Sequence, residues 1–390
     1  VPTGGLRVEI PGKGVVFSDT SGNFTFEDVV APYTLILEGN STHYYVYEGL
    51  TSSAPVVYAN NLTATWRSAS VDGTIAPTTT GNSYAVQYAS SYAWGAATGA
   101  TSDTSTSYIN TSALKVGSTR DTYSGSLYAL VWSKDANGNA ASFISYGEYG
   151  SLTLADGGTF SGKDMTLVSI STTNSFNVAF SAPSGYTVSS LSAGLRLGGA
   201  GLLTIPIITH SASSPASSPV AVKSPAISGA LMQALVVASD ASNQATFVWD
   251  SAPATASGLT LTAPEPPSPS APADGAGNVA AGTAFSWELP TTGFSMLGIS
   301  GPVNIQIFTD KTETTLPDLS GFGVSYTSGD SYTWMVYGVA LPGVMENVEQ
   351  LVSRDNLQPA YVWFMVMLFG EPPTDSGYLT YCAQRSFTIQ

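Results

Sequence analysis

The chain has 390 residues and a net charge of −15, and only 10% of its residues are charged, against about a quarter in an ordinary soluble protein. With 12 Lys plus Arg facing 27 Asp plus Glu, it lacks the cations that a nucleic-acid partner would need for its phosphates. A single cysteine, Cys382, excludes an internal disulfide, and with only His43 and His210 beside it no zinc or Cys–His motif of ordinary spacing can be assembled.

Ser and Thr supply about a quarter of the chain, with 39 Gly and 20 Tyr, which is a composition of strands and turns. The most apolar run, Tyr361 to Gly370, is half the length that a membrane-spanning helix needs. The expectation is an all-β protein of tandem β-sandwich, immunoglobulin-like domains, with under about a tenth of residues helical. An extracellular or cell-surface location follows from the same low-charge composition.

Residues 1–60 read as short strands. Gly5–Ile10 and Gly14–Phe17 lead into Asp19-Thr-Ser-Gly22, where Asp19 accepts a turn amide and Gly22 permits a left-handed backbone. A hairpin to a strand Asn23–Glu27, carrying Phe24 and Phe26 on one face, is expected there, followed by a strand Tyr33–Glu38. The run Asp19, Gly22, Phe24, Phe26, Val29, Pro32, Tyr33, Leu35 resembles the carboxypeptidase regulatory-like, or transthyretin-like, module. That resemblance implies a small β-sandwich, usually a non-catalytic appendage of secreted proteins. The family has a further G-x-V strand ahead of the position of Leu6, absent here, so the sandwich is either truncated or completed by another segment.

Residues 61–205 carry a second β-sandwich pattern, including Leu62–Trp66, Ser83–Tyr88, Gly125–Trp132, Ser151–Leu154, Met165–Ile170 and Ser175–Phe180. Tyr47-Glu-Gly-Leu50 and Ala182-Pro-Ser-Gly-Tyr186 are loosely similar to repeated β-rich surface proteins of Gram-negative bacteria. After a Ser/Pro break at 211–219, residues 206–263 return to strands that complete the second domain. The stretch 264–272 holds five prolines in nine residues and reads as an extended linker. Residues 273–390 resemble the immunoglobulin and fibronectin type III superfamily through Pro272-Ala-Asp-Gly275, Gly282–Trp287 and Tyr332-Thr-Trp334. The resemblance implies core packing by Trp287 and Trp334, and a spacer, adhesive or assembly role. A short helical turn is expected within Val344–Gln350.

Candidate sites are few. The carboxylate groupings Glu27-Asp28, Asp310 with Glu313, Glu346 with Glu349, and Asp375 carry no acid–base signature, and no catalytic residue or cofactor is expected. Asp135, Asn137 and Asn139 place oxygen ligands at alternate positions, as a calcium loop begins, although an Asx–Gly hairpin turn accounts for the same residues. Sequons stand at Asn23, Asn40, Asn61 and Asn110. The tyrosines offer sugar-stacking or adhesive contacts, or cross-strand pairs on exposed sheet faces.

The functional expectation is a non-enzymatic exported structural or cell-surface protein, an adhesive or self-assembling (filament or surface-layer) subunit. Self-association is expected by strand exchange, with Ala383–Gln390 as a donor, or by module stacking. The alternative is a glycan-binding accessory module, with surface glycans as partners.

Overall fold

The protein is described from a computed structural model, which describes residues 4–57, 68–91, 93–114, 122–202, 204, 206–289, 292–353, 366–367, 372 and 374–390. The chain is all-β, with 58% of residues in strands and 3% in helices, within the helical limit that the sequence sets. The expected strand Leu62–Trp66, the sequon at Asn61 and nearly all of the apolar run Tyr361–Gly370 lie outside the described residues.

The first strands are β1 (Arg7–Ile10), β2 (Gly14–Phe17), β3 (Tyr33–Asn40) and β4 (His43–Leu50). The N-terminal hairpin lies one element earlier than expected, between β1 and β2. Asn23–Glu27 forms no strand. Phe24 and Phe26 instead meet edge to face, 6.2 Å between centroids, and pack onto the core from a loop. Two aromatic residues two apart mimic strand alternation, but no neighbouring strand takes up their backbone.

Next come β5 (Ser68–Thr78), β6 (Ser83–Ala89), β7 (Ala93–Ala100), β8 (Thr104–Leu114), β9 (Thr122–Lys134) and β10 (Ala140–Ala155), then short β11 (Thr159–Phe160), β12 (Met165–Thr166) and β13 (Val168–Ser169). They pair in the order β11-β5-β8-β7-β6-β9-β10-β13. β12 runs parallel to β5 while β13, just beyond it, pairs with β10, so this sheet closes on itself as a barrel. Val71, Ile75, Val86, Tyr88, Tyr108, Leu127, Val131 and Leu154 fill its interior. The Tyr108 hydroxyl donates to the Lys163 carbonyl at 2.5 Å, fastening the closing segment to the barrel wall. Residues 68–170 thus form one closed sheet within the all-β architecture. Met165 and Leu167 are both buried in its core, and that makes the closing segment part of the same packed unit.

The chain continues through β14 (Thr173–Ser181), β15 (Thr187–Arg196), β16 (Ile207–Ser213), β17 (Val220–Pro225), β18 (Leu231–Ser239), β19 (Ala245–Pro253) and β20 (Gly258–Thr262). It finishes with β21 (Ser268–Ala271), β22 (Ala276–Val279), β23 (Ala284–Glu288), β24 (Phe294–Ser300), β25 (Asn304–Thr309), β26 (Glu313–Thr315), β27 (Ser331–Ala340), the one-turn helix α1 (Val348–Leu351), β28 (Gly377–Tyr381) and β29 (Arg385–Ile389). α1 starts at the end of the expected helical turn, where the Asn347 side chain caps it by accepting from the Gln350 N–H.

One 14-stranded sheet runs through most of these segments, in the order β16-β15-β18-β19-β28-β27-β24-β25-β4-β3-β1-β2, with β29 beside β27 and β22 beside β29. The ladder therefore crosses from the first 50 residues into the final module. β25 lies parallel to β4, with Asn304 opposite His43 and Phe308 opposite Tyr47. Tyr47 and Phe308 stack at 5.1 Å. The segment completing the N-terminal unit is thus β25, supplied by the same chain. β29, the expected donor strand, is already paired with β27 and β22.

Two small sheets cover this long one. β21-β23-β26 brings Phe285 and Trp287 onto Leu297, Ile305, Trp334 and Val336. Both tryptophans are buried, and Phe285 meets the Trp334 ring edge-on at 5.1 Å. β17-β14-β20 covers Leu191, Ala193, Met232 and Val236, and the barrel's outer face, through Leu130, Trp132 and Phe143, joins the same core. The proline-rich stretch 264–272 is built into this arrangement, because β21 pairs with β23 and Pro266 and Pro267 are buried. The expected extended linker thus ends in a strand, Ser268–Ala271.

Candidate functional site

The acidic side chains with the best-defined surroundings hold turns. Asp19, Asp135 and Asp240 each start a five-residue loop of the same chemistry. In the first, the Ser21 and Asn23 N–H groups donate to Asp19 Oδ1 at 2.8 and 2.9 Å. In the second, Asn137 and Asn139 donate to Asp135 Oδ1 at 2.8 and 3.0 Å. In the third, Ser242 and Gln244 donate to Asp240 Oδ1, both at 2.9 Å. The fourth residue of each loop is left-handed: Gly22 at φ 77°, Gly138 at 84° and Asn243 at 62°. Gly and Asn take that conformation with little strain.

Asp135, Asn137 and Asn139 therefore form the hairpin turn between β9 and β10, and Asn139 Oδ1 further accepts from the Ser211 N–H on β16 at 2.9 Å. Among the described residues no three His, Cys, Asp or Glu converge as a metal site. The turn at Asp240 escapes the sequence reading because Asn243 stands where the other two loops have glycine.

Among the other groups, Asp310 Oδ1 accepts from the Val348 N–H at 2.9 Å, and burial, then the nearby Glu349, pushes its carboxyl up. Asp375 lies against Arg196, which is fully buried, with an N–O separation of 2.7 Å. Arg196 also donates to Thr204 Oγ1 at 2.7 Å and to the Leu202 carbonyl. The Gly201 N–H donates to Asp375 Oδ2 at 2.7 Å, and Gln233 Nε2 donates to the Thr374 carbonyl at 2.6 Å. The Leu197 N–H donates to Gln87 Oε1 on β6 at 2.9 Å, tying this knot to the barrel. Burial pushes the Arg196 guanidinium pKa down and Asp375 opposes that.

Asn23 and Asn40 are exposed. Asn110 is fully buried, and its Nδ2 donates to the Val86 carbonyl at 2.8 Å, so the folded chain offers no amide there for a glycan. Burial also pushes the Cys382 thiol up. Several tyrosines sit inside instead of on exposed sheet faces: Tyr44, Tyr88, Tyr108 and Tyr123 are fully buried.

One open cleft was not legible in the sequence. It is a cleft of about 460 Å³ between the β14–β15 turn, the β18–β19 turn, the proline-rich stretch and the start of β29, lined by Ser184, Tyr186, Ser242, Gln244, Glu265, Ser268 and several prolines. The Pro183-Ser-Gly-Tyr186 turn is closed by the Tyr186 N–H on the Pro183 carbonyl at 3.1 Å, with Gly185 at φ 83°, the geometry that needs glycine at its third position. It projects Tyr186 into the cleft half-buried. Burial first, then Asp240 and Glu265, pushes the Tyr186 hydroxyl up to about 12, so it stays protonated at neutral pH. Arg385 lines the far wall, where its guanidinium donates to the Pro269 and Pro272 carbonyls at 2.7 and 3.3 Å and lies over the Trp334 ring.

No protein-family model matches the chain, and no curated protein matches it. No described helix is long and apolar enough to cross a membrane.

Proposed function

We propose that the chain is a non-enzymatic, exported structural or cell-surface protein, an adhesive or self-assembling subunit. The observation that carries this reading is the 14-stranded ladder, which makes one continuous body of segments that spacer proteins usually string as separate beads. The low charge content and the use of Asp19, Asp135 and Asp240 in turn closure fit a scaffold.

Of the sheet's two ends, β16 is capped at Ser211 by Asn139, whereas among the described residues β2 pairs only with β1 and carries Phe17 at 66% exposure. An open edge strand is a template for pairing. Antiparallel pairing of β2 with β2 of a second copy would close as a two-fold dimer, the simplest unit from which a larger assembly is built. Light scattering at micromolar concentration in about 0.15 M salt tests this. The expected outcome is a concentration-dependent dimer abolished by Phe17→Lys, and monomers throughout contradict the assembly reading.

A second reading, a glycan-binding accessory module, is favoured by the cleft at Tyr186. A half-buried aromatic ring beside neutral hydroxyls and a carboxylate is a saccharide-type surface.

A further inference from the structure

We propose that the cleft bounded by Tyr186, Gln244, Glu265 and Ser268 binds a neutral oligosaccharide and rejects acidic ones. The proposal deepens the glycan-binding reading above and rests on it.

The hydrogen-bonding inventory sets the ligand chemistry. Among the described residues, the side chains of Ser184, Tyr186, Ser242, Glu265 and Ser268 make no hydrogen bond within the protein, although all of them line the cleft. Gln244 commits its Nε2 to Asp240 Oδ2 at 2.9 Å and leaves its carbonyl oxygen open. The open groups are thus hydroxyls, which donate and accept, together with a carboxylate and an amide oxygen, which only accept. A ligand matching that set must carry several hydroxyl donors. The Tyr186 ring and the neighbouring prolines add an apolar wall for the C–H face of a pyranose.

Charge sets the selectivity. Glu265 stands in the cleft and Asp240 directly behind Gln244, in a chain of net charge −15. Arg385, the cation at the wall, spends two of its five N–H groups on the Pro269 and Pro272 carbonyls, which turns its fork toward the backbone. A uronate or sulfate would meet two carboxylates against one guanidinium already turned toward backbone carbonyls. A neutral sugar meets no such repulsion.

The site joins two parts of the fold. Ser184 and Tyr186 follow β14, Ser242 and Gln244 join β18 to β19, and Glu265 and Ser268 lead into the final module. A bound sugar would bridge them.

The test is isothermal titration of the full chain with three neutral β-linked tetrasaccharides, of glucose, xylose and mannose, and with tetragalacturonate, each up to about 10 mM, which reads Kd values into the millimolar range. The expected result is binding of at least one neutral tetrasaccharide, none of tetragalacturonate, and a loss of about tenfold or more in Tyr186→Ala that Tyr186→Phe largely restores. Glu265→Gln, a change at an exposed residue, weakens neutral binding in the same direction and serves if Tyr186→Ala does not fold. Neutral binding unchanged in both Tyr186→Ala and Glu265→Gln would overturn the cleft assignment while leaving the glycan-binding reading in place. Tetragalacturonate binding as tightly as the neutral sugars overturns the selectivity. No binding of any neutral tetrasaccharide by the unaltered chain overturns both the cleft assignment and the glycan-binding reading.

Discussion

Arg196 is a fully buried charge held by Asp375, Thr204 and Leu202, and Asp375→Asn is the cleanest way to expose its role. The guanidinium is fully buried while the Asp375 side chain is 32% exposed, so the substitution leaves a buried cation without its anion at nearly constant shape. Removing one partner of a buried ion pair costs about 3–5 kcal/mol. Water reaching Asp375 lowers that, as do the bonds that Arg196 keeps to Thr204 and Leu202, and we expect a loss of about 2–4 kcal/mol. Urea unfolding followed by tryptophan fluorescence reads this well, because Trp249 donates to Thr374 Oγ1 at 3.2 Å beside Asp375. The double variant Arg196→Met with Asp375→Asn removes the uncompensated charge and should recover about half of the loss or more. A single Asp375→Asn variant within about 0.5 kcal/mol of the unaltered chain would refute the claim that this pair holds the junction.

Asp135→Ala removes an acceptor shared by two backbone N–H groups and should cost about 1–3 kcal/mol by urea denaturation, while millimolar calcium should leave the midpoint of the unaltered chain unmoved. Asp274 and Asp318 titrate low, held down chiefly by the backbone N–H bonds from Ser386 and Ser320 respectively. The unfolded chain then binds more protons between the folded and unfolded pKa values. Stability from these groups is present above the ordinary carboxylate range and is lost as pH falls below about 4, and Asp274→Asn should flatten the acid limb of a urea-midpoint series. Cys382 is fully buried with Sγ accepting from the Val336 N–H at 3.2 Å, so a thiol reagent should label it only in denaturant, and labelling of the native chain at the unfolded rate contradicts that packing. Gln306→Pro, placed in β25 between β24 and β4, should cost about 3 kcal/mol or more, read as a lower calorimetric midpoint.

Alternation made strands legible wherever one face is apolar. β27 shows it best: Tyr332, Trp334 and Val336 point to one core while the residues between them are only half-buried. β8 hides because its inward positions include Thr106, Asn110 and Ser112, all buried, so its polar sequence reads as loop. The barrel stayed invisible for a related reason, since its closure rests on two-residue strands, β12 and β13, and on the Tyr108 hydrogen bond to Lys163. Pairing partners are harder still. Nothing local in Asn304–Thr309 marks it as the parallel neighbour of His43–Leu50, because period 2 fixes which side chains face a core but not which strand lies beside which. The cleft was hidden because its walls come from four separate stretches of chain, each of which reads by itself as a turn or a proline-rich connection.

Amide hydrogen exchange across the β4–β25 contact tests the continuous ladder most directly. Strands inside a sheet exchange only when a large cooperative unit opens, whereas an edge strand exchanges by local fraying. With Tyr45 opposite Gln306 and Val46 opposite Ile307, peptides covering 43–50 and 304–309 should show strong protection of similar free energy and lose it together as urea is added. If 43–50 exchanged within seconds while 304–309 stayed protected, the N-terminal strands would be a separate unit and the single 14-stranded sheet would be contradicted.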